Sequence, residues 1–370
     1  MFSTTRALSV VSLVTAGALL SACSALPAPS GTNSASQSAT PTPTPTPMVT
    51  APLTGVQYPL GANAFLAGPV VMGKIDNSSE ARPQQGLNST DMVIDEMVEG
   101  GLTRFLAIWH SKMPTEFGPI RSVRPMDPDL ATAFGGILAY SGGQTPFVRA
   151  MQATGIYNAT ETSELGKGTM ERVTNRYAPH NLFVKAQNLQ AAHAKLAPPA
   201  TFGIFANGTD DANVALPSAS GKPVIDVKAQ FPAATALWTW KNGVWLRTQD
   251  GKPLTDAADG SQISATNVVV LRVAVDRSFK DPRYGFVPKT LLEGTGSGMA
   301  FSGGKVLNLT WSKTAQNQYV SLKDAAGNSV MLLPGNTWFE LVPTDVGKVT
   351  VDYPKAPATQ KPTASATPKN

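Results

Sequence analysis

The chain of 370 residues contains a single cysteine, Cys23, so no disulfide bond can form within it. The folded part of the chain must therefore be stabilised by a hydrophobic core and by polar contacts. The cysteine follows an apolar run at 7–20, which one cation, Arg6, precedes. This run is too short for a spanning helix, and it is typical of the apolar region of a secretory signal peptide.

The residues that end at Cys23 are Leu-Ser-Ala-Cys, a large residue and two small ones before the cysteine. They resemble the lipobox of bacterial lipoproteins, in which the cysteine is fatty-acylated, for example with palmitate, and the signal is removed on its amino side. The alternative is an ordinary signal peptide with an incidental cysteine. We predict that residues 1–23 are a lipoprotein signal peptide and that Cys23 is the lipidation site. The membrane is then a partner through this anchor, and the protein lies outside the cytoplasm on the outer face of the cell membrane.

Residues 24–52 are rich in Pro, Thr and Ser and almost free of charged and large apolar side chains. Such a segment cannot bury a core, so we predict a disordered stalk. As an extended polyproline-like chain it would reach at most about 90 Å. Residues 346–370 are predicted to be a disordered basic tail.

The formal net charge of +5 says little about the folded part. Four of the cations lie in the signal peptide or the tail: Arg6, Lys355, Lys361 and Lys369. Without these four, residues 24–354 carry a formal charge of +1. This balance gives no support to nucleic-acid binding, and we predict no nucleic-acid partner.

The folded region changes character along its length. Between 53 and 200 it alternates strand-like and helix-like segments, which predicts an α/β or α+β N-terminal domain. The predicted strands are 69–76, 92–100, 103–112 and 136–143, and the predicted helices are 127–133, 145–155 and 186–197. After a connection at 201–223, residues 224–345 predict a mostly β C-terminal domain. Its clearest signal is Asn242-Gly243 between alternating apolar residues, which predicts a hairpin.

Motifs for common cofactors and nucleophiles are missing from the sequence. The three histidines, His110, His180 and His193, form no HExxH pair, and no GxSxG elbow occurs. The glycines of 294–298 lack both Rossmann spacing and a P-loop lysine, so a bent hairpin is the better interpretation. We therefore predict no metal and no cofactor.

An acidic stretch at 91–99 allows two hypotheses. Strand alternation places Glu96 on a mostly apolar face, where an ionised carboxylate is costly unless it is paired. The carboxylates could act as general acid or base on a glycan, with Glu96 or Asp91 in that role and His180 assisting. The alternative is that they brace the strand by pairing with arginine side chains, and the sequence favours this second hypothesis. The candidate arginines are Arg82, Arg104, Arg121 and Arg124.

Two of these arginines lie three positions apart between prolines in GPIRSVRP, residues 118–125. A helical turn would place Arg121 and Arg124 on one side, whereas a strand would place them on opposite faces. If they converge, they suit a ligand that carries a carboxylate or a phosphate. His180 follows a proline that defines its direction. The sequence is compatible both with a structural role for His180 and with a contact between His180 and a ligand.

A series of long motifs resembles the YerB-like bacterial lipoproteins, a family built from two tandem domains of unknown function. The motifs cover most of 52–345 in the family's order: 52–55, 75–77, 81–87, 91–96, 98–105, 118–125, 141–143, 178–183, 245–256, 267–270, 303–304, 311–313, 324, 327 and 333–343. Gly73 and Trp245 depart from the residue types that the resemblance implies at their positions. The resemblance implies a lipid-anchored, two-domain envelope protein, and it implies no reaction.

From these residues we expect a polar, arginine-rich cleft in the N-terminal domain. Its candidate ligand-binding residues are Asp76, Asn77, Arg82, Arg104, Arg121, Arg124, His180 and Asn181. The cleft is expected to bind cell-wall glycan or to regulate an envelope protein, without catalysis. The alternative is a carboxylate-dependent enzyme that acts on peptidoglycan or another surface glycan.

Overall fold

The structure is a computed structural model that describes residues 46–206, 214–282 and 285–355. All of these fall in one compact unit that begins at Thr46. The predicted signal peptide, Cys23, most of the stalk and the end of the tail lie outside the described residues. Predictions that concern them stay predictions.

Strands make up most of the regular structure, and the α-helices are short. The strands are β1 (Met48–Thr50), β2 (Gln57–Pro59), β3 (Val71–Asp76), β4 (Met92–Met97), β5 (Thr103–Trp109), β6 (Ile137–Ala139), β7 (Tyr157–Ala159), β8 (Met170–Arg172), β9 (Leu182–Val184), β10 (Val214–Ala215), β11 (Lys222–Pro223), β12 (Asp226–Phe231), β13 (Ala234–Lys241), β14 (Val244–Gln249), β15 (Lys252–Pro253), β16 (Ser264–Ala265), β17 (Asn267–Asp276), β18 (Lys280–Asp281), β19 (Gly285–Phe286), β20 (Lys289–Leu291), β21 (Gly294–Ser302), β22 (Lys305–Lys313), β23 (Ser321–Lys323), β24 (Ser329–Val330), β25 (Thr337–Pro343) and β26 (Lys348–Asp352). The α-helices are α1 (Asp127–Ala131), α2 (Thr145–Gln152), α3 (Glu161–Glu164), α4 (Ala186–Ala192) and α5 (Pro217–Ser220), and single 3₁₀ turns occur at Ala64–Ala67, Ser79–Ala81, Leu87–Ser89 and Glu99–Gly101.

One large mixed sheet of 14 described strands joins the two halves of the sequence. Its order is β10-β24-β23-β22-β21-β17-β25-β4-β5-β3-β6-β7, with β11 added at β22 and β20 at β17. The junction is the parallel pair of β25 and β4, in which Glu340 lies opposite Asp95. All residues of β4, β5 and β25 are buried, as expected for strands covered on both faces.

A second sheet of six strands runs in the order β15-β14-β13-β12-β26, with β16 beside β14. It contains the predicted hairpin, β13–β14. The turn residues Asn242 and Gly243 have φ of 52° and 83°, the left-handed values that a two-residue type I′ turn requires. Burial alternates along β12 and β14, so this sheet has one packed face and one more exposed face.

The two faces of the large sheet belong to two hydrophobic clusters. One cluster contains Trp109 and Trp338 of the large sheet together with Trp238 and Trp245 of the six-stranded sheet. The other contains apolar residues of the opposite face with residues of α1, α2 and the segment after α4. Gly73 faces the first cluster, next to Phe117. A Cβ atom at position 73 would lie 2.4 Å from the Phe117 ring, so the bulkier residue that the resemblance implies would not fit there.

The predicted fold class is confirmed: helices and strands alternate in the first half, and the second half is mostly β. The helices are shorter than predicted, since α2 ends at Gln152 and α4 at Ala192. The glycines of 294–298 lie in β21, which pairs with β22 across the Gly303–Gly304 turn. The predicted domain boundaries stay a prediction, but the disorder predicted for 24–52 and 346–370 is wrong at two described strands. β1 pairs with β2, and β26 pairs with β12 because Val349 and Val351 pack against the core.

A buried charge cluster lies between the two sheets. Arg247 of β14 donates to Glu340 Oε1 at 2.5 Å and to Asp95 Oδ2 at 2.6 Å, and all three side chains are almost wholly buried. Burial and the neighbouring Glu340 raise the pKa of Asp95 well above its ordinary value, against the lowering effect of Arg247. The guanidinium carbon lies over three aromatic rings, 5.1 Å from Phe105, 5.2 Å from Trp238 and 4.7 Å from Trp338.

Asp256 forms a second connection between distant parts of the chain. Its buried carboxylate accepts the backbone N–H groups of Gly86 and Asn88, each at 2.8 Å, and of Ala258 at 2.9 Å. A carboxylate that accepts several N–H groups is well satisfied without a cation. This contact holds the loop before β4 against the loop after β15.

Candidate functional site

The candidate site is an open groove beside the ends of β4 and β5, with a volume of about 530 Å³. We call it the arginine groove. Its lining residues are Val98, Glu99, Gly100, Leu102, Arg104, Arg121, Ser122, Arg124, Gly143 and Gln144. Three predicted site residues, Arg104, Arg121 and Arg124, thus line one surface.

Arg104, near the start of β5, is 8% exposed. Its Nη1 donates to the Ser122 carbonyl at 2.8 Å, whereas its buried Nε has no hydrogen-bond partner within the described ranges. No carboxylate lies within 4 Å of it in the described part of the chain. Burial lowers the pKa of Arg104 to about 10, with Arg124 and Arg121 adding to that effect against Asp76 and Glu99. Arg104 remains a cation at neutral pH, and it has no ion pair among the residues that the structure describes.

Arg121 meets two other predicted residues at the end of β3. Its Nε donates to Asp76 Oδ2 at 3.0 Å, and His180 Nδ1 lies 2.9 Å from the same oxygen. Burial raises the pKa of Asp76, but Arg104, the Ser78 N–H, Arg121 and His180 outweigh it, so the pKa lies below its ordinary value. The side chain of Arg121 is 31% exposed, and its terminal nitrogens donate no hydrogen bond within the described residues.

Arg124 is held more firmly than Arg121. Its Nε donates to Glu99 Oε2 at 2.8 Å and lies 2.7 Å from Oε1, while Nη1 donates to the Val123 carbonyl at 3.0 Å. Its backbone N–H donates to Asp127 at 2.6 Å. The brace predicted between an arginine and the acidic strand region is therefore present at Glu99, just after β4.

The chain conformation explains why both arginines of GPIRSVRP reach the groove. The Arg121 N–H donates to the Lys74 carbonyl at 2.7 Å, and the Val123 N–H donates to Gly142 at 3.1 Å. This extended segment therefore runs between β3 and the loop after β6. Arg124 is the last residue before a turn at 125–126, and both arginines line the groove.

The wall of the groove beside Gly143 and Gln144 is the N-terminus of α2. Gly142 has a φ of 65° and Gly143 a φ of 154°. A Cβ atom at Gly143 would lie 3.0 Å from a methyl group of Val123 and 3.2 Å from its carbonyl oxygen, so a side chain there is disfavoured. Within the described residues, the N–H groups of 142–145 donate no hydrogen bond. The predicted site residues do not include this wall, although glycines before a Thr-Pro helix start are a recognisable signal for exposed amides.

The other five predicted ligand residues lie outside the groove lining; Asp76 and His180 lie beside Arg121, and the remaining three lie farther along the chain's surface or interior. Arg82 donates to Asn77 Oδ1 at 3.2 Å and to Asp250 at 2.8 Å, and it lines a separate depression of about 400 Å³. Asn77 is buried and donates to Thr103 at 2.8 Å. Asn181 accepts a bond from Arg172 at 2.6 Å beside β8 and β9.

The two carboxylates considered for catalysis are fully enclosed. Asp91 accepts the hydroxyl of Ser111 at 2.6 Å and its N–H at 2.7 Å, and burial raises the pKa of Asp91 to about 6. Glu96 pairs with buried Lys74, which also lies 2.7 Å from Asp127. Burial raises the pKa of Glu96 to about 8 against the opposing effect of Lys74. Neither carboxylate lines the groove.

The described residues contain no cluster of three or more His, Cys, Asp or Glu side chains arranged to hold a metal ion. In the same part of the chain, no helix is both long and apolar enough to cross a membrane. The groove is built from guanidinium groups, the backbone of the α2 start and the carboxylate of Glu99.

Comparisons with known proteins agree with this architecture. The chain is 27% identical over 297 residues to "Putative lipoprotein YerB" of Bacillus subtilis (strain 168), covering 79% of this chain and 86% of that protein. The crystal structure of the YerB protein from Bacillus subtilis matches with a TM-score of 0.68 at 22% identity, covering 82% of this chain and 99% of that one. The N-terminal domain of the protein of unknown function DUF3048 matches residues 53–198, and the C-terminal domain matches 225–339. The chain belongs to the DUF3048 family and carries its two domains in tandem.

Proposed function

We propose that this protein is a lipid-anchored binding protein of the cell envelope that holds an anionic group in the arginine groove. The ligand belongs to cell-wall material or to an acidic segment of a wall-associated partner. The observation that carries the proposal is Arg104, a buried guanidinium with an unpartnered nitrogen and no ion pair in the described part of the chain.

The energetics of Arg104 favour an added anion. Removing a charge from water is costly, and this cost is normally offset by an opposite charge and further hydrogen bonds. Here Arg121 and Arg124, which are also cations, repel the charge of Arg104 and add to the cost of burying it. The carboxylates of Asp76 and Glu99 are already engaged by those two arginines. A bound anion would supply the missing charge.

The side chains around the groove also fit recognition of such a group. Guanidinium groups are planar, permanently charged donors that match the geometry of carboxylate and phosphate oxygens. The terminal nitrogens of Arg121 are free of partners in the described residues and border the open groove. A ligand can therefore reach these donors without a rearrangement of the core.

The envelope location is supported by the lipobox-like residues before Cys23 and by the name of the Bacillus subtilis relative. A stalk such as we expect at 24–52 would let the groove reach wall polymers that lie away from the membrane surface.

The test uses residues 24–370, which contain the whole compact unit. Purified cell-wall sacculi are incubated with this protein, and both the pelleted protein and the released fragments are measured. We expect saturable binding that weakens with salt and falls at least tenfold in Arg121→Gln/Arg124→Gln, with no fragments released. Lys185→Gln/Arg277→Gln is the matched control, because it also removes two positive charges, and each of these cations is paired with one carboxylate with its side chain 37% or 32% exposed.

Binding that survives unchanged in the double variant would contradict the proposal. So would equal losses in the groove double variant and in Lys185→Gln/Arg277→Gln, since these would reflect a general loss of positive charge.

A second candidate function is hydrolysis of a surface glycan. The observation that favours it is the Asp76–His180 pair, in which the carboxylate orients an imidazole whose Nε2 has no partner in the described residues. Such an imidazole can act as a general base. Fragments released by the native protein but not by His180→Asn would support this candidate. Asp91 and Glu96 are weaker candidates because both are enclosed.

A further inference from the structure

We propose that the group held in the arginine groove is a phosphate group, and that a phosphomonoester dianion binds there more tightly than a carboxylate does. This inference rests on the proposed function and names its ligand class. It is carried by two independent sets of donors on two walls of the same groove.

The first set of donors belongs to α2. The eight-residue helix starts at Thr145, and the N-cap residue Gln144 makes no side-chain capping bond. The N–H groups of 142–145 have no acceptor within the described residues. A helix N-terminus carries about half a positive charge, and its free amides are suited to phosphate oxygens. Gly143 and Gln144 line the groove, so this end of the helix borders the ligand space.

The second set belongs to the arginines. Arg104 is more than nine-tenths buried, lines the same groove and keeps an unpartnered Nε. Arg121 contributes terminal nitrogens that no described residue engages. The backbone bond from Val123 to Gly142 ties the arginine segment to the glycine loop. The two walls are therefore fixed relative to each other.

The balance of charge separates phosphate from carboxylate. Three guanidinium groups stand against the two carboxylates of Asp76 and Glu99, which leaves one positive charge. The helix end adds about half a charge, so the surplus is close to the −1.5 to −2 of a phosphomonoester at neutral pH. A carboxylate carries only −1 and offers two oxygens.

The number of donors points the same way. The terminal nitrogens of Arg121 and the amides of the helix end need acceptors, and the buried charge of Arg104 needs a counter-ion. A planar carboxylate presents its two oxygens in one direction, so it can satisfy one wall well. A tetrahedral phosphate presents oxygens to both walls at once.

The experiment measures binding to residues 24–370 by calorimetry, with glycerol 3-phosphate, dimethyl phosphate and acetate as probes. We expect glycerol 3-phosphate to bind saturably, at least tenfold more tightly than either dimethyl phosphate or acetate. We also expect its affinity to fall between pH 7.5 and pH 5, because the monoester loses its second charge near pH 6. The Arg104→Met variant should bind it at least tenfold more weakly.

A variant at Gln144 separates the binding effect from a folding defect. Gln144→Glu places a carboxylate at the start of α2, where it should maintain or raise the urea midpoint of unfolding. The same carboxylate should compete with the ligand and weaken binding at least tenfold. Gln152→Glu is the matched control, because it adds the same charge to the exposed C-terminal end of the same helix, outside the groove lining, and its affinity should stay within threefold of the native value.

The outcomes distinguish the two proposals. If acetate binds as tightly as glycerol 3-phosphate, or if Gln144→Glu binds normally, the phosphate inference is wrong, whereas anion binding in the groove still stands. If no probe binds saturably and the arginine variants retain wall binding, the proposed function itself is wrong.

Discussion

Two buried arginines should respond in opposite ways to the same substitution. Arg247 and Arg104 are 0% and 8% exposed, and methionine can fill much of the volume of either side chain. Arg247 lies between two carboxylates, whereas Arg104 has no ion pair in the described part of the chain. We predict that Arg247→Met strongly destabilises the fold and that Arg104→Met changes its stability little.

The cost of Arg247→Met follows from what the guanidinium leaves behind. Asp95 and Glu340 would remain side by side without their shared cation, in a site lined by aromatic rings. Breaking a buried pair by removing one partner costs roughly 3–5 kcal/mol, because an uncompensated charge stays buried. The free energy of unfolding should therefore fall by about 4 kcal/mol at pH 7.5.

This loss should depend on pH. A carboxyl group whose pKa rises on folding binds its proton more tightly in the folded chain, so its contribution to stability falls as pH increases above the unfolded value near 4. Without Arg247, the pKa of Asp95 loses its main lowering influence and rises further. The deficit of Arg247→Met should thus be smaller at pH 5 than at pH 7.5.

Arg104→Met removes a charged hydrogen bond to the Ser122 carbonyl, worth about 2 kcal/mol, and weak attractions to Asp76 and Glu99. It also removes the cost of burying a cation and its repulsion by two arginines. These effects oppose each other, so the change in unfolding free energy should stay within about 1 kcal/mol.

Urea unfolding of residues 24–370 tests both variants, with tryptophan fluorescence and circular dichroism as probes. Trp238 and Trp338 contact Arg247, so fluorescence reports directly on that region. If Arg104→Met is destabilised as much as Arg247→Met, then Arg104 is a structural brace and the argument for a ligand site fails. A pH-independent deficit in Arg247→Met would refute the interpretation of the carboxylate pair.

Three further perturbations test other parts of the structure. Gly304→Ala should abolish or severely weaken folding, because φ is 73° and a Cβ atom would lie 2.4 Å from the Trp240 side chain. Gly243→Ala is the control: φ is 83° but the Cβ atom would lie in open space, so the free energy of unfolding in urea should fall by only about 1 kcal/mol. Burial lowers the pKa of His110 to about 4, so the unfolded chain binds more protons than the folded chain between about pH 7 and 4. Stability should therefore decline as pH falls through this range, and the urea midpoint of His110→Gln should decline less. Asp256→Ala should destabilise by about 3 kcal/mol because three backbone N–H groups lose their acceptor, and Asp256→Asn should cost clearly less, as measured by the same unfolding assay.

The sequence predicted part of the site because chemistry and spacing are local. The arginines of GPIRSVRP and the histidine after a proline can be recognised as candidate ligand residues before their positions in the fold are known. Their convergence is a tertiary property: Arg104 enters from β5, while Arg121 and Arg124 enter from a segment held between β3 and the loop after β6. The amides of 142–145 were missed because a glycine pair carries no side chain to suggest a role.

What the sequence determined by itself was the order of elements and their periodicity. Alternating apolar residues and Asn242-Gly243 specify the β13–β14 hairpin through interactions within a few residues. The tertiary structure alone decided that β25 lies parallel to β4, although about 240 residues separate them. That pairing brings Asp95 and Glu340 to one buried arginine, and burial then sets whether a charge acts as a brace or as part of a binding surface. No local pattern contains this information, because the cost of a charge depends on which distant groups exclude water from it.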